Sequence, residues 1–180
     1  MRRNQELGGN YLHKCHARAI AYLRDALDDL ESGYDLLTNN RYSKALFHFQ
    51  QATEKSMKGC LAILGKLVIK EHKCTNIFKR FVIPALSKKM REGFTEIMSD
   101  LRELEWTYIP TRYSVTIAGE IRLKEYDEKD IQYASSIAQK CLDLTYSFIE
   151  EKTNRTLPRD LEGLTRYLRE NYSDVVNGGW

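Results

Sequence analysis

A chain of 180 residues with 42% hydrophobic and 29% charged residues can bury the core of one domain and is too apolar to stay disordered. Its 28 basic and 25 acidic side chains leave a net charge of +3, a balance that neither demands nor excludes RNA as a partner. The opening nine residues lack the apolar stretch of a signal peptide, and the densest apolar run, residues 60–64, is too short to cross a bilayer, so a cytoplasmic protein without a membrane is expected.

Four segments carry apolar residues spaced alternately by three and four, the signature of helices with one buried stripe. The first stripe is Leu12, His16, Ala19, Leu23, Ala26, Leu30, Gly33 and Leu37. Asn39 and Asn40 then form a tight turn, which makes the next helix an antiparallel neighbour. The second stripe is Tyr42, Leu46, Phe49, Thr53, Ser56, Cys60 and Ile63, with Gly65 as its stop. A less regular stretch follows, in which Thr75 can cap a short helix containing Ile77, Phe78 and Phe81 before Pro84 interrupts it.

The third stripe is Met90, Phe94, Ile97, Leu101, Leu104 and Tyr108, ended by Pro110. Residues 109–126 carry no helical pattern, and connections of that length often serve function. Asp127 is placed to cap the fourth helix, with Asp130 in its first turn, and the stripe is Ile131, Ala134, Ala138, Cys141, Thr145 and Phe148. Leu157, Leu161, Leu164 and Leu168 form a shorter stripe that Pro158 would open at the first turn. The expected architecture is all-α: an antiparallel up-and-down bundle of four main helices plus a short helix. Residues 1–152 form the bundle, and residues 153–180 form an appended helical extension that packs on it or on a partner subunit.

The cysteines at 15, 60, 74 and 141 are scattered, which suits reduced, buried thiols. His13, Cys15 and His16 invite a metal reading, as do His72 and Cys74. Side chains two apart on a helix diverge, however, and no glutamate precedes a histidine by three residues as a di-iron bundle requires, so neither metal nor cofactor is expected. Basic clusters at Lys79–Arg80, Lys88–Lys89–Arg91 and Arg122–Lys124 read as solvated helix faces.

Two places combine polarity with position. Gln51, Glu54 and Lys58 fall in a line at spacings of three and four. They form either a solvated ion pair or the rim of a cleft where Lys58 meets phosphate. Arg112 and Tyr113 follow Pro110 in a stiffened turn, where a guanidinium can grip phosphate in a fork or pair with a bundle carboxylate.

The run at 42–59, Tyr-Ser-Lys-Ala-Leu-Phe-His-Phe-Gln-Gln-Ala-Thr-Glu-Lys-Ser-Met-Lys-Gly, resembles the second helix of HEPN domains, and the segment at 104–113 resembles a turn of small stand-alone members. The likeness spans residues 10–150. It implies a helical bundle assembled as a homodimer around a cleft, binding a nucleotide or RNA, in some members beside a minimal nucleotidyltransferase in toxin–antitoxin modules. Catalytic members are metal-independent RNases that use an arginine followed after four to six residues by a histidine. Here no histidine lies beyond His72, and the formal pair of Arg41 and His48 spans the start of a helix.

The expected function is therefore a HEPN-like binding or interaction module without the family RNase motif. Arg112, Tyr113, Lys58, Glu54, Gln51 and His48 are the candidates for its cleft. The alternatives are an RNase in which His48 or Tyr113 moves the proton, and a structural dimer with no ligand of its own.

Overall fold

The computed structural model describes the backbone at residues 2–66, 73–107, 115–117, 120–122 and 126–176, with side chains at 10–66, 73–107 and 126–176. In chain order the elements are α1 (Arg2–Thr38), α2 (Tyr42–Ile63), α3 (Thr75–Phe81) and a 3-10 turn (Ile83–Ala85). There follow α4 (Lys88–Glu96), α5 (Met98–Trp106), β1 (Val115–Ile117), β2 (Glu120–Arg122), α6 (Glu128–Thr153), α7 (Leu161–Asn171) and α8 (Ser173–Val176). The fold is an all-α bundle. It carries one small addition, an antiparallel β1–β2 ribbon in register Val115 with Arg122, inside the stretch that lacks a helical stripe.

One cap sets the antiparallel α1–α2 hairpin. Asn40 adopts φ 56°, the Arg41 N–H reaches the Leu36 carbonyl at 2.9 Å and the Asn40 N–H reaches Leu37 at 3.0 Å. The same pairing closes α2 around Gly65, whose φ of 74° is open to glycine at little cost: Lys66 N–H to Leu61 at 2.9 Å and Gly65 N–H to Ala62 at 2.8 Å. The first residues of α6 are held by a capping box, in which Asp130 N–H donates to Asp127 Oδ1 at 2.9 Å and Asp127 N–H returns to Asp130 Oδ2 at 3.3 Å.

The middle of the bundle is α2, with α1 and α6 along its length and α3 and α5 against it. Burial runs unbroken from Ser56 to Ile63, which is possible only for a helix covered on all sides. Leu23, Phe49, Leu101, Ile131 and Phe148 are fully buried and Leu30 is nearly so, as the four stripes require. At Gly33 a side chain would lie 2.5 Å from the Phe49 ring, so the glycine lets α1 and α2 close around that ring.

Four local expectations differ from the structure, the Thr75 cap among them. The buried stripe of α1 begins at Cys15, and Leu12 faces outward. The third long helix is two helices, broken at Ile97 with φ −98° and ψ 4°. On a continuous helix Ile97 and its neighbour Met98 would point about 100° apart. The break turns both into the core, so that α4 packs on α6 while α5 also reaches α2 and α3. Finally, α7 starts at Leu161 under an Asp160 cap, with Gly163 N–H donating at 2.7 Å, and Pro158 lies in the preceding connection. The carboxylate cap stabilises the helix start better than a proline three residues upstream.

The short helix α3 has no side-chain cap of its own. Thr75 is its first residue instead, and both its N–H, at 2.5 Å, and its hydroxyl bond to the buried Glu105 carboxylate of α5. Glu105→Ala strands two buried donors, so a loss of about 2–3 kcal/mol in urea unfolding is expected, with part of it recovered in Glu105→Gln.

Past α6, Leu157, Leu164, Leu168 and Tyr172 are buried, and α7 lies against α1. The contact is pinned by Arg24 Nε donating to Thr165 Oγ1 at 2.8 Å. In the first third of α1, His13 Nε2 pairs with Asp174 Oδ1 at 2.9 Å, and its ring packs at a tilt on Tyr172. No described helix is long and apolar enough to cross a membrane.

Candidate functional site

At 100° per residue, His48, Lys55, Gln51, Lys58 and Glu54 occupy about a third of the α2 circumference, so one polar sector runs along the helix. Its outer end meets α1. His48 Nδ1 lies 2.9 Å from Asp29 Oδ1, and Lys55 Nζ lies 2.5 Å from Asp29 Oδ2. An ionised carboxylate only accepts, so Nδ1 donates to it, and in the neutral form of the ring Nε2 is the acceptor nitrogen. His48 and Lys55 are about 30% exposed, and Asp29 beneath them is only 12% exposed.

The inner end is buried. Lys58 Nζ donates to Glu54 Oε1 at 2.8 Å with both side chains under 10% exposed, so the pair is not the solvated one that spacing alone would allow. Glu54 Oε2 also accepts from Gln50 Nε2 at 3.3 Å, and Gln51 Nε2 donates to Gln50 Oε1 at 2.6 Å. Burial presses the Lys58 ammonium toward neutrality, but the hydrogen bond and charge of Glu54 outweigh it and hold its pKa above the ordinary lysine value. Lys55 and Lys58 face two carboxylates and the exposed Lys44 lies in the same sector one turn before His48, so the sector carries a net charge of only about +1. It offers hydrogen-bonding groups at the outer end: the His48 ring and the half-buried Gln51 amide.

The structure thus brings four sequence candidates, His48, Gln51, Glu54 and Lys58, onto one sector. Arg112 and Tyr113 lie outside the described residues, as does His72. Arg41 is exposed at the entrance to α2. Cys15 and Cys74 are fully buried, while His13 is engaged with Asp174. Among the described residues no three histidine, cysteine or carboxylate side chains come together in a metal-holding group.

Asp29 and Lys55 were not among the sequence candidates. Asp29 is 19 positions before His48, and the link forms only because the α1–α2 turn folds the two helices back on each other. A second feature outside the sequence candidates is a cleft of about 400 Å³ between α5 and α6, floored by Leu104 and Ile137 and rimmed by Asp100, Glu103, Asp130 and Tyr133. A hydrogen bond to Asp100 pushes the Tyr133 phenol upward. Its only advance sign is the pairing of Asp100 with Glu103 and Asp130 with Tyr133 three residues apart, which any solvated helix also shows.

Comparison with known proteins gives two findings. A family model described as the HEPN domain matches residues 19–155. A protein of Methanocaldococcus jannaschii named "Putative toxin MJ1304" is 26% identical over 137 residues, which cover 74% of this chain and 90% of the relative. No solved structure gives a significant match.

Proposed function

The chain belongs to the HEPN domain family, and from that premise we propose that it is a binding module of a toxin–antitoxin type system, acting as a homodimer on a nucleotide or RNA. A minimal nucleotidyltransferase is the proposed partner, and the toxin name of the archaeal relative supports that setting. The observation that carries the binding reading is the polar sector of α2. His48 and Gln51 stand half-open on a rigid central helix, oriented from behind by Asp29 and by the buried Glu54–Lys58 pair. Rigid backing of this kind lowers the cost of ordering groups around a ligand. Arg112 and Tyr113 are proposed to complete the cleft from the connection after α5.

Thermal shift with short RNA and with ATP, in EDTA, tests the proposal. Either ligand is expected to raise the melting temperature. Losing one or two hydrogen bonds in His48→Ala/Gln51→Ala should weaken that ligand's affinity about tenfold. A protein stabilised by neither ligand would be the structural dimer.

One observation favours a second reading, an RNase with an altered catalytic set. The Asp29–His48 hydrogen bond fixes the tautomer that leaves Nε2 free to take a proton from a ribose hydroxyl. RNA cleavage in EDTA that vanishes in His48→Ala and falls sharply in Asp29→Asn would replace the binding reading with this one.

A further inference from the structure

If the protein holds RNA through the α2 sector, as proposed above, that near-neutral sector supplies little of the affinity for a polyanion, and backbone charge has to be met elsewhere. Outside the residues matched to the family, α7 lies along α1 and leaves a cleft of about 380 Å³ between them. It is lined by Arg24 of α1 and by Leu161, Glu162, Thr165, Arg166 and Arg169 of α7. The α7 positions fall on one face at spacings of three and four, while Leu164 and Leu168 turn into the core.

Arg24 is oriented in advance. Its Nε donates to Thr165 Oγ1 at 2.8 Å and its Nη1 to Asp25 Oδ1 at 3.1 Å, with only 35% of the side chain exposed. The Thr165 hydroxyl in turn donates to the Leu161 carbonyl at 2.7 Å, so it is occupied and serves to position Arg24. Arg166 pairs with Glu162 at 2.7 Å, but both are well exposed, and such a pair is weak enough for a phosphate to compete. Arg169 stands on the same face, one turn beyond Thr165. Three guanidinium groups therefore converge against one carboxylate in the cleft and one behind it. Among the described lining residues Leu161 is the one apolar side chain and none is an aromatic ring to stack a base, so the cleft suits phosphate and not nucleobase.

We propose that the α1–α7 cleft is a phosphate site through which the appended helix grips an RNA backbone without regard to sequence. The test uses the full chain, a short fluorescent RNA read by anisotropy at several salt concentrations, and inorganic phosphate read by thermal shift against chloride at matched ionic strength. In Arg166→Glu/Arg169→Glu, RNA affinity at low salt is expected to fall about tenfold or more, with a salt dependence shallower by about two counterions. The same charge change on the exposed α4 surface, Lys88→Glu/Lys89→Glu, controls for general repulsion.

Equal losses in the two variants, or none in the first, would overturn the cleft. RNA binding kept in the arginine variant and lost in His48→Ala/Gln51→Ala would overturn it and leave the α2 reading standing. Stabilisation by inorganic phosphate without RNA binding would overturn RNA as the source of the phosphate, and wild-type protein that binds neither would overturn the cleft, together with RNA as the ligand of the α2 sector.

Discussion

Lys58→Ala is expected to cost about 3–5 kcal/mol in urea unfolding, because it removes the ammonium and leaves the buried Glu54 carboxylate charged without that counter-charge. The loss reports that stranded charge more than the worth of the pair itself. Replacing both charges should therefore recover much of it. In Glu54→Gln/Lys58→Met the amide still accepts from Gln50, and the thioether fills the ammonium's stem, so at least half the single-variant loss should return. A single-variant cost below about 1 kcal/mol would mean that water reaches the pair and that the inner end of the sector is not sealed.

The spacing of Glu54 and Lys58 is plain in the sequence, but their burial is not. An i, i+4 pair looks the same on a solvated face as in a core, and the difference is made by the elements that pack on α2. The same limit explains the other discrepancies. Periodicity locates the four stripes and the Asn40, Gly65 and Asp127 boundaries because those are properties of neighbouring residues. It misses the break at Ile97, where two adjacent side chains are both needed inside, and the Glu105–Thr75 link, which joins residues 30 apart. Within the candidate site, the residues on α2 were legible from the run that resembles the family. Asp29 was not, since nothing local in α1 marks it as the partner of His48.

Stability should also fall steeply in alkali. Burial pushes the Cys60 thiol from 9.0 up to about 12, and Cys141 beside it is raised as well. Desolvation raises the Tyr146 phenol to about 12. An acid whose folded pKa is raised keeps its proton in the native state while the unfolded chain releases it. The stabilisation is thus complete below the unfolded value and is lost as pH climbs through the window toward the folded one. Lys58 acts in the same direction at higher pH, because its folded ammonium also holds its proton more tightly. For Cys60 alone the loss reaches about 3 kcal/mol by pH 11. Urea unfolding at intervals from pH 7 to 11 should show the decline begin near 9, and Cys60→Ala should flatten it. Constant stability through pH 11 would mean that the thiol is not sealed.

All four thiols are hidden, and they mark three places in the bundle: Cys15 on α1, Cys74 just before α3, and Cys60 of α2 beside Cys141 of α6. An alkylating reagent can touch them only when the surrounding packing lets go. The native molecule consequently carries its own gauge of partial opening. The order in which the four sulfurs become modified would reveal which layer loosens first, with no label added and no residue changed.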